Sequence, residues 1–278
     1  GGDPVVDPEP LGTGGAIANA ESELAADRVV VLNGDILTDL DLRAMEQAHA
    51  TANGLASIAL TPVDDPGAFG LVRLHDDRSV EEFVEKPAAE DLRPGEPYLI
   101  NAGTYIFERQ ALAMIPPGRK VSVERETFPA IAETERLYGH PDACYWRDIG
   151  TPASYLQASI DVLSGAVRSD SPRPGPYLGE GAEVDPEADV GPGSAIGAGC
   201  TVAAGAIVAD SVLGAGTSVA RGAHLSGAIV GAEVSIGEGA VIGPEVVIGD
   251  GATIGERAVL RAAKVDTGGR VRPGADTA

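Results

Sequence analysis

Residues 230–255 read VGAEVSIGEGAVIGPEVVIGDGATIG, and an aliphatic side chain stands at every sixth position: Val230, Ile236, Ile242, Ile248 and Ile254. Glycine follows directly, as at Gly237, Gly243, Gly249 and Gly255. Six residues turn an α-helix by about 600°, so such a stripe wanders around a helix and cannot form one buried face. It suits a triangular coil, in which each hexad gives one short strand with its aliphatic residue inward and Gly, Asp or Pro near the corner. Three hexads then make one turn of a parallel β-helix. A flexible Gly/Ala linker predicts neither a phase nor so many Val and Ile.

Outward from this stretch the period continues. Leu260 follows on one side; on the other lie Leu225, Val219 and Leu213, then Val208, Val202, Ile196, Val190, Val184 and Leu178. The steps Val208–Leu213 and Leu225–Val230 are five residues long and read as small loops or shifts of register. The marked positions make about five coils, more than such a solenoid needs. Residues 178–265 are therefore a hexapeptide-repeat β-helix, and 266–278, where the hexad fades, a tail that frays. Before it, the Pro/Gly-rich run Ser171-Pro172-Arg173-Pro174-Gly175-Pro176 marks 166–177 as a linker.

Residues 1–165 have another texture. Ala16 to Ala26 is helix-prone, and Arg28-Val29-Val30-Val31-Leu32 is a β-branched run ending at Asn33-Gly34-Asp35. Leu40 to Ala52 reads as a helix capped by Asp39 or Asp41, and further strands are expected at 56–60, 70–74, 79–84 and 101–107. Strands alternating with helices argue for an α/β domain with a mostly parallel sheet. Ligands of such sheets gather beyond the carboxyl ends of strands, which is where Asp35 falls.

Composition narrows the function classes. The 278 residues carry 42 acidic against 20 basic side chains, a formal charge of -22, which repels phosphate backbones and anionic lipid. Nucleic-acid and membrane partners are thus disfavoured, and no apolar run approaches the roughly 20 residues of a membrane span. Two cysteines, Cys144 and Cys200, do not make a disulfide framework or a cysteine zinc site, which fits a reducing cytoplasm. The first residues lack signal-peptide character. His49, His75, His140 and His224 show no pairwise metal spacing, and there is no Gly-x-Ser-x-Gly elbow.

Four segments carry candidate chemistry. Pro10-Leu11-Gly12-Thr13-Gly14-Gly15-Ala16 is a Gly-rich turn into a helix, whose free amides can receive an anion or a base edge, or which is a plain turn. Asn33-Gly34-Asp35 puts a carboxylate past a strand, suited to Mg²⁺ with phosphate ligands or to capping a turn. Phe83-Val84-Glu85-Lys86-Pro87 ends a strand with opposite charges that a pleat sends to opposite faces. Lys86 is one of only three lysines, with Lys120 and Lys264. Trp146-Arg147-Asp148-Ile149-Gly150-Thr151-Pro152, following a strand-like segment, offers a second carboxylate or a structural corner.

In this order, with Ile100-Asn101-Ala102-Gly103-Thr104-Tyr105 after the third segment and a hexad solenoid behind the fourth, these motifs resemble the sugar-nucleotide pyrophosphorylases, and among them the mannose-1-phosphate guanylyltransferases. The resemblance covers nearly the whole chain. It implies a Rossmann-like α/β nucleotidyltransferase domain followed by a left-handed parallel β-helix. It implies that Asp35 and Asp148 hold a catalytic Mg²⁺, that Lys86 contacts the sugar phosphate, and that Gly12 and Thr13 border the base. Gly70, Glu85, Asn101 and Gly103 match sugar-side positions. The implied reaction joins an NTP, GTP by preference, and a sugar 1-phosphate, mannose 1-phosphate by preference, releasing pyrophosphate. The attacking phosphate is already ionised, so the poor histidine inventory is compatible with it.

One departure is large. The family's opening strand and loop, Gly-x-Gly-x-Arg-Leu followed by a lysine, is absent, so the resemblance implies a chain that begins well inside the catalytic domain. An N-terminally incomplete enzyme of this kind is expected to have an open sheet edge and negligible activity. Alternatives are a glucose-1-phosphate thymidylyl- or uridylyltransferase, a noncatalytic regulatory subunit of the same fold, or an acyltransferase using His224, the solenoid's one histidine. The solenoid's flat faces suit a homo-oligomer.

Overall fold

Eleven residues, the strand Tyr98–Glu108, organise the first half of the chain. In the computed structural model, which describes residues 4–7, 9–93, 95, 97–169 and 174–277, two compact units form: Gly1–Ile36 with Leu40–Trp146, and Leu37–Asp39 with Arg147–Ala278. The elements in order are α1 (Gly12–Ala20), β1 (Arg28–Leu32), β2 (Ile36–Thr38), α2 (Leu42–Ala52), β3 (Ala56–Val63), β4 (Gly70–Leu74), β5 (Val80–Glu85), β6 (Tyr98–Glu108), α3 (Arg109–Leu112), α4 (Phe128–Ala132), β7 (Leu137–Pro141), β8 (Trp146–Asp148) and α5 (Pro152–Ser164). The main sheet runs β5-β4-β6-β3-β7, with β1 also on β6.

The expected mostly parallel sheet is corrected: among the described residues only β3 and β7 pair parallel in it, while β1–β6, β3–β6, β4–β5 and β4–β6 are antiparallel. The reason lies between residues 56 and 108, where among the described residues no helix longer than one 3₁₀ turn separates the strands. Short connections allow antiparallel pairing, whereas parallel strands need a crossover. β3 occupies one edge of β6; β4 and β1 divide the other, β4 opposite Leu99–Ile100 and β1 opposite Thr104–Glu108. No described strand covers the far edge of β1, where Val30 and Leu32 are exposed.

Few aromatics serve this unit, and they are concentrated. Phe128 stacks on Phe107 at 5.9 Å and meets Tyr105 edge-on at 5.1 Å, with Phe83 beside it. Asp41, not Asp39, caps α2, accepting from the amides of Arg43 and Ala44. Left-handed Asn53 ends that helix, and its Met45 and His49 are buried.

The second unit holds α5 and a parallel β-solenoid of about five turns. α5 begins at the Thr151 cap with Pro152 behind it and ends at left-handed Gly165. The solenoid strands stack in three sheets, and the hexad's aliphatic residues point inward: Ile196, Val208, Leu225, Ile242 and Leu260 are all fully buried. Burial of each such side chain contributes roughly 1.5–3 kcal/mol. A second inward row, two residues earlier, is small: Cys200, Ala206, Ala223, Ala240 and Ala258. Buried hydroxyls there satisfy carbonyls of the next turn, Ser194 donating to Val208 and Thr217 to Gly231.

The five-residue steps are shortened corners. They fall after strands of one face, at left-handed Asp210 and Gly227, and Ala262 marks a third between Leu260 and Val265. Such a coil closes in 17 residues, as in Ala195 opposite Val212, against 18 for Glu183 opposite Thr201. The expected tail is also corrected. Arg270–Val271 pairs with Thr253–Ile254, and Asp276 bridges to Val259, so the coil continues through residues where the aliphatic signal is thin. Residues 170–173 of the expected linker lie outside the described residues, and Tyr177–Leu178, at its end, already forms the first solenoid strand. No helix among the described residues is long and apolar enough to cross a membrane.

Candidate functional site

The handover on β6 leaves Asn101-Ala102-Gly103 without a partner on the edge shared by β4 and β1. On the β3 side the register also breaks: Ile58 faces Tyr105 and Leu60 faces Asn101, so one residue stands against three. Their polar groups are satisfied by other means. Asn101 Oδ1 accepts from the Gly103 amide at 3.0 Å, the Gly103 carbonyl accepts from the Asn33 amide at 2.8 Å, and the Ala102 carbonyl accepts from Trp146 Nε1 at 2.9 Å. Gly103 has φ +72, and a Cβ there would lie 2.8 Å from Asn33 Nδ2. Two segments, 33–35 and 101–103, therefore meet.

Tyr105 brings in a third. Its phenol, almost fully buried, receives a hydrogen bond from Asn101 Nδ2 at 2.9 Å, and the side chains of Asn33 and Glu124 lie near enough to bear on its titration. Burial, and then the charge of Glu124, holds the phenol far above its ordinary value, so it stays neutral. Glu124 also accepts from Thr13 Oγ1 at 3.0 Å and from Ser122 Oγ at 2.7 Å, while Thr13 Oγ1 accepts from the Val123 amide. Thr13, through Glu124, and Asn33 and Asn101, 88 positions apart at the extremes, thus gather around one phenol. Glu124 escaped the sequence reading, because Val121-Ser122-Val123-Glu124 has no distinguishing pattern, and Tyr105 stood in a quoted motif without a role.

The expected free amides of the Gly-rich turn need correction. The Gly14 and Gly15 amides both donate to the Val121 carbonyl, and a Cβ at Gly12 would come within 2.7 Å of that oxygen. Passage of residues 119–121 across the helix start is what requires glycine here. Gly12 has φ +70 as well.

The hairpin β4–β5 carries the next residues. Gly70 faces Glu85 in register, and a Cβ on it would strike Phe83 Cζ at 2.7 Å and approach Glu85 Oε2 at 3.1 Å. Glu85 closes β5. Lys86 lies outside the strand at φ +53, its amide donating to the Phe69 carbonyl, so the expected alternation of the two charges across a pleat does not apply. The Phe69 ring meets Trp146 edge-on at 5.5 Å, tying this corner to Ala102. The Lys86 ammonium is exposed and makes no hydrogen bond or ion pair among the described residues; the Asp35 carboxylate, past β1, is in the same state.

Asp148 belongs to the second unit. It ends β8, of which Trp146-Arg147 is part and not merely a follower, and its Oδ1 accepts from the Gly150 amide at 2.8 Å. Arg147 pairs with Asp161 of α5 at 3.1 Å. Among the described residues no group of three or more His, Cys, Asp or Glu forms a metal cage. Asp35 and Asp148 are nonetheless hard, exposed oxygen donors, the chemistry of a Mg²⁺ held by one or two carboxylates plus substrate phosphates. His224 points outward between Ile207 and Val241 of neighbouring turns and has no hydrogen-bond partner among the described residues.

Comparison with known proteins adds the following. The nucleotidyl transferase family model matches residues 3–165, and the GMPPB C-terminal domain model matches 174–265. The mannose-1-phosphate guanylyltransferase of Mycobacterium tuberculosis is 41% identical over 189 residues, 66% of this chain and 51% of that protein. The mannose-1-phosphate guanylyltransferase catalytic subunit beta of Drosophila pseudoobscura pseudoobscura is 35% identical over 65% of this chain and 48% of its own. Mannose-1-phosphate guanylyltransferase 1 of Arabidopsis thaliana is 36% identical over 65% and 50%. The chain spans about half the length of the curated relatives it matches.

Proposed function

Because the chain belongs to the nucleotidyl transferase family, we propose that its residues serve a sugar-1-phosphate nucleotidyltransferase that joins GTP and mannose 1-phosphate. The observation that carries this reading is the convergence of Thr13, Asn33 and Asn101–Gly103 on Tyr105 and Glu124 beside the break in β6. The names of the relatives support the substrate pair. An ionised oxygen of the sugar phosphate attacks the α-phosphorus of the nucleotide; a new P–O bond forms, the bond to the bridging oxygen breaks, and pyrophosphate leaves with that electron pair. No protein base is needed, and the residues supply alignment and charge neutralisation.

In this reading Lys86 receives the sugar phosphate, Gly70, Glu85, Asn101 and Gly103 border the sugar, and Gly12 and Thr13 border the base. Asp35 and Asp148 are each assigned as Mg²⁺ ligands on their motifs and donor chemistry. When bound, the metal neutralises charge on the triphosphate. The protein works in the cytoplasm and as a homo-oligomer built on the solenoid.

For that assembly the solenoid face bearing Tyr177, Ala195, Val212, Ile229 and Val247 is the favoured surface. These five outward side chains are uncharged, and the sixth in the row, Lys264, is a cation in a chain of net charge -22. A second copy can cover them without opposing like charges, whereas another face presents Glu183, Thr201, Ser218, Ser235, Thr253 and Arg270.

The test is pyrophosphate release with Mg²⁺ over a grid of NTPs and sugar 1-phosphates, on this chain and on one joined to a family N-terminal segment. The joined chain should prefer GTP with mannose 1-phosphate, and Lys86→Ala should lower its kcat/KM about 10²-fold or more. Silence of the joined chain with every pair sinks the proposal.

A further inference from the structure

β5 ends the main sheet: it pairs with β4 on one side, and beyond the single bridge from Ser79 to Tyr138 no described strand covers its other side. An open cleft of about 1290 Å³ within the first unit runs along that side. Residues 79–83 line it without a gap. Successive side chains of a strand point to opposite faces, so five in a row border a cleft only when it lies at the strand's edge. The Lys86 amide donates to the Phe69 carbonyl, which fixes the alternation of the antiparallel ladder. Val84 then bonds to Leu71 and Glu82 to Arg73 of β4, while Phe83 turns its N–H and C=O to the open edge. Glu81 stands at the bulge, opposite no residue of β4. Such an edge is a template for another extended chain.

The lining selects the chemistry of that chain. Asp76, Asp77, Glu81, Glu82, Glu133 and Glu135 border the cleft from three separate segments, and among the described residues no Lys or Arg does. Part of this charge is met within the protein: Ser79 donates to Asp77, Glu82 pairs with Arg73, and Arg93 lies 3.9 Å from Glu81. Asp76, Glu133 and Glu135 are exposed, and their carboxylates make no hydrogen bond or ion pair among the described residues. Phe83 and, on α4, Pro129 and Ala132 add apolar surface beside them. A second copy of this chain is disfavoured as the occupant, because pairing β5 with β5 sets Glu81 and Glu82 against their own like charges. We propose that β5 takes up an extended, basic peptide segment of a partner protein as an added strand. Its backbone bonds to Phe83, and its Lys or Arg side chains reach Asp76, Glu133 and Glu135.

The test is a titration of this chain with the peptide acetyl-Lys-Thr-Lys-Val-Lys-Thr-Lys-amide, followed by the backbone ¹⁵N–¹H resonance of Phe83. Two controls are the same peptide with Glu in place of Lys and the same peptide N-methylated at every residue, which keeps the charge and removes the backbone donors. A saturable Phe83 shift with the Lys peptide is expected, with no binding of either control. Glu133→Gln combined with Glu135→Gln should weaken the Lys peptide about threefold or more, and Asp76→Asn, in a different segment, should weaken it independently. All three side chains are exposed and unbonded, so their replacement leaves the fold intact and loss of binding reports on the cleft. No saturable shift with the Lys peptide, equal affinity for the Glu peptide, or an affinity unmoved by the carboxylate replacements would each overturn the proposal. Equal binding of the N-methylated peptide would overturn the strand addition, leaving charge attraction alone.

Discussion

Gly103→Ala is the sharpest test of the geometry at the break in β6. At φ +72 an L residue costs about 1–2 kcal/mol in backbone strain. Its methyl would also lie 2.8 Å from Asn33 Nδ2 and 3.1 Å from Ile36 Cγ1, and overpacking of this kind adds about 1–3 kcal/mol. The sum, about 2–5 kcal/mol, should lower a urea midpoint by roughly 1–3 M. Trp146, the chain's one tryptophan, reports on this spot because its Nε1 donates to the Ala102 carbonyl. Its fluorescence follows the first unit without interference from the solenoid. Replacing Asn33 by Ala removes the group the methyl strikes, so the double variant should be less destabilised than the sum of the singles by about 1–3 kcal/mol. A neutral Gly103→Ala, or singles that add within about 0.5 kcal/mol, would refute the steric reasoning.

Burial lowers the pKa of both His49 and His140, the first despite its bond to Glu108. The unfolded chain therefore binds more protons below about pH 6.5, and the stability of the first unit should be full above that pH and fall as pH drops towards the folded values. A Trp146 urea midpoint that stays flat between about pH 7.5 and 5 contradicts this. In the solenoid, Ile242→Ala empties a fully buried position and should cost about 2–5 kcal/mol by far-UV circular dichroism melts. Outward Ser235→Ala should stay within about 0.5 kcal/mol, and equal effects would mean the inward assignment is wrong. Ile229→Glu places a carboxylate among the uncharged side chains of the proposed solenoid contact face and should shift the protein to monomer in sedimentation equilibrium; an unchanged mass rules that face out as the contact.

What the sequence revealed and what it hid divide by range. The hexads were legible because one turn of a solenoid contacts only the next, so local spacing determines the fold, and even the 17-residue coils follow from steps visible between Val208 and Leu213. The cap of α2 was narrowed to two aspartates for the same reason. The sheet was not legible, since its polarity depends on which distant strands share β6, and alternating helices suggested crossovers that residues 56–108 do not contain. Glycines 12, 14 and 15 looked like an anion cradle, while the cause of two of them is a segment about a hundred residues later that takes the amides. Thin aliphatic signal hid the final coil at Arg270–Val271, held by backbone pairing to Thr253–Ile254.

The same accounting separates residues that build the site from residues free to act in it. Thr13, Asn101 and the Gly103 backbone spend their hydrogen bonds within the protein, on Glu124, Tyr105 and Asn33. Their polarity closes the gap where β6 passes from β4 to β1, so altering them moves stability together with any binding. Lys86 and Asp35 contribute no such bond, and both are exposed. The proposed use of the Lys86 charge lies outside the chain, on a ligand, and this predicts that its replacement leaves stability unmoved. Stability unchanged by replacement, with ligand dependence lost, is accordingly the signature that distinguishes Lys86 and Asp35 from Thr13 and Asn101.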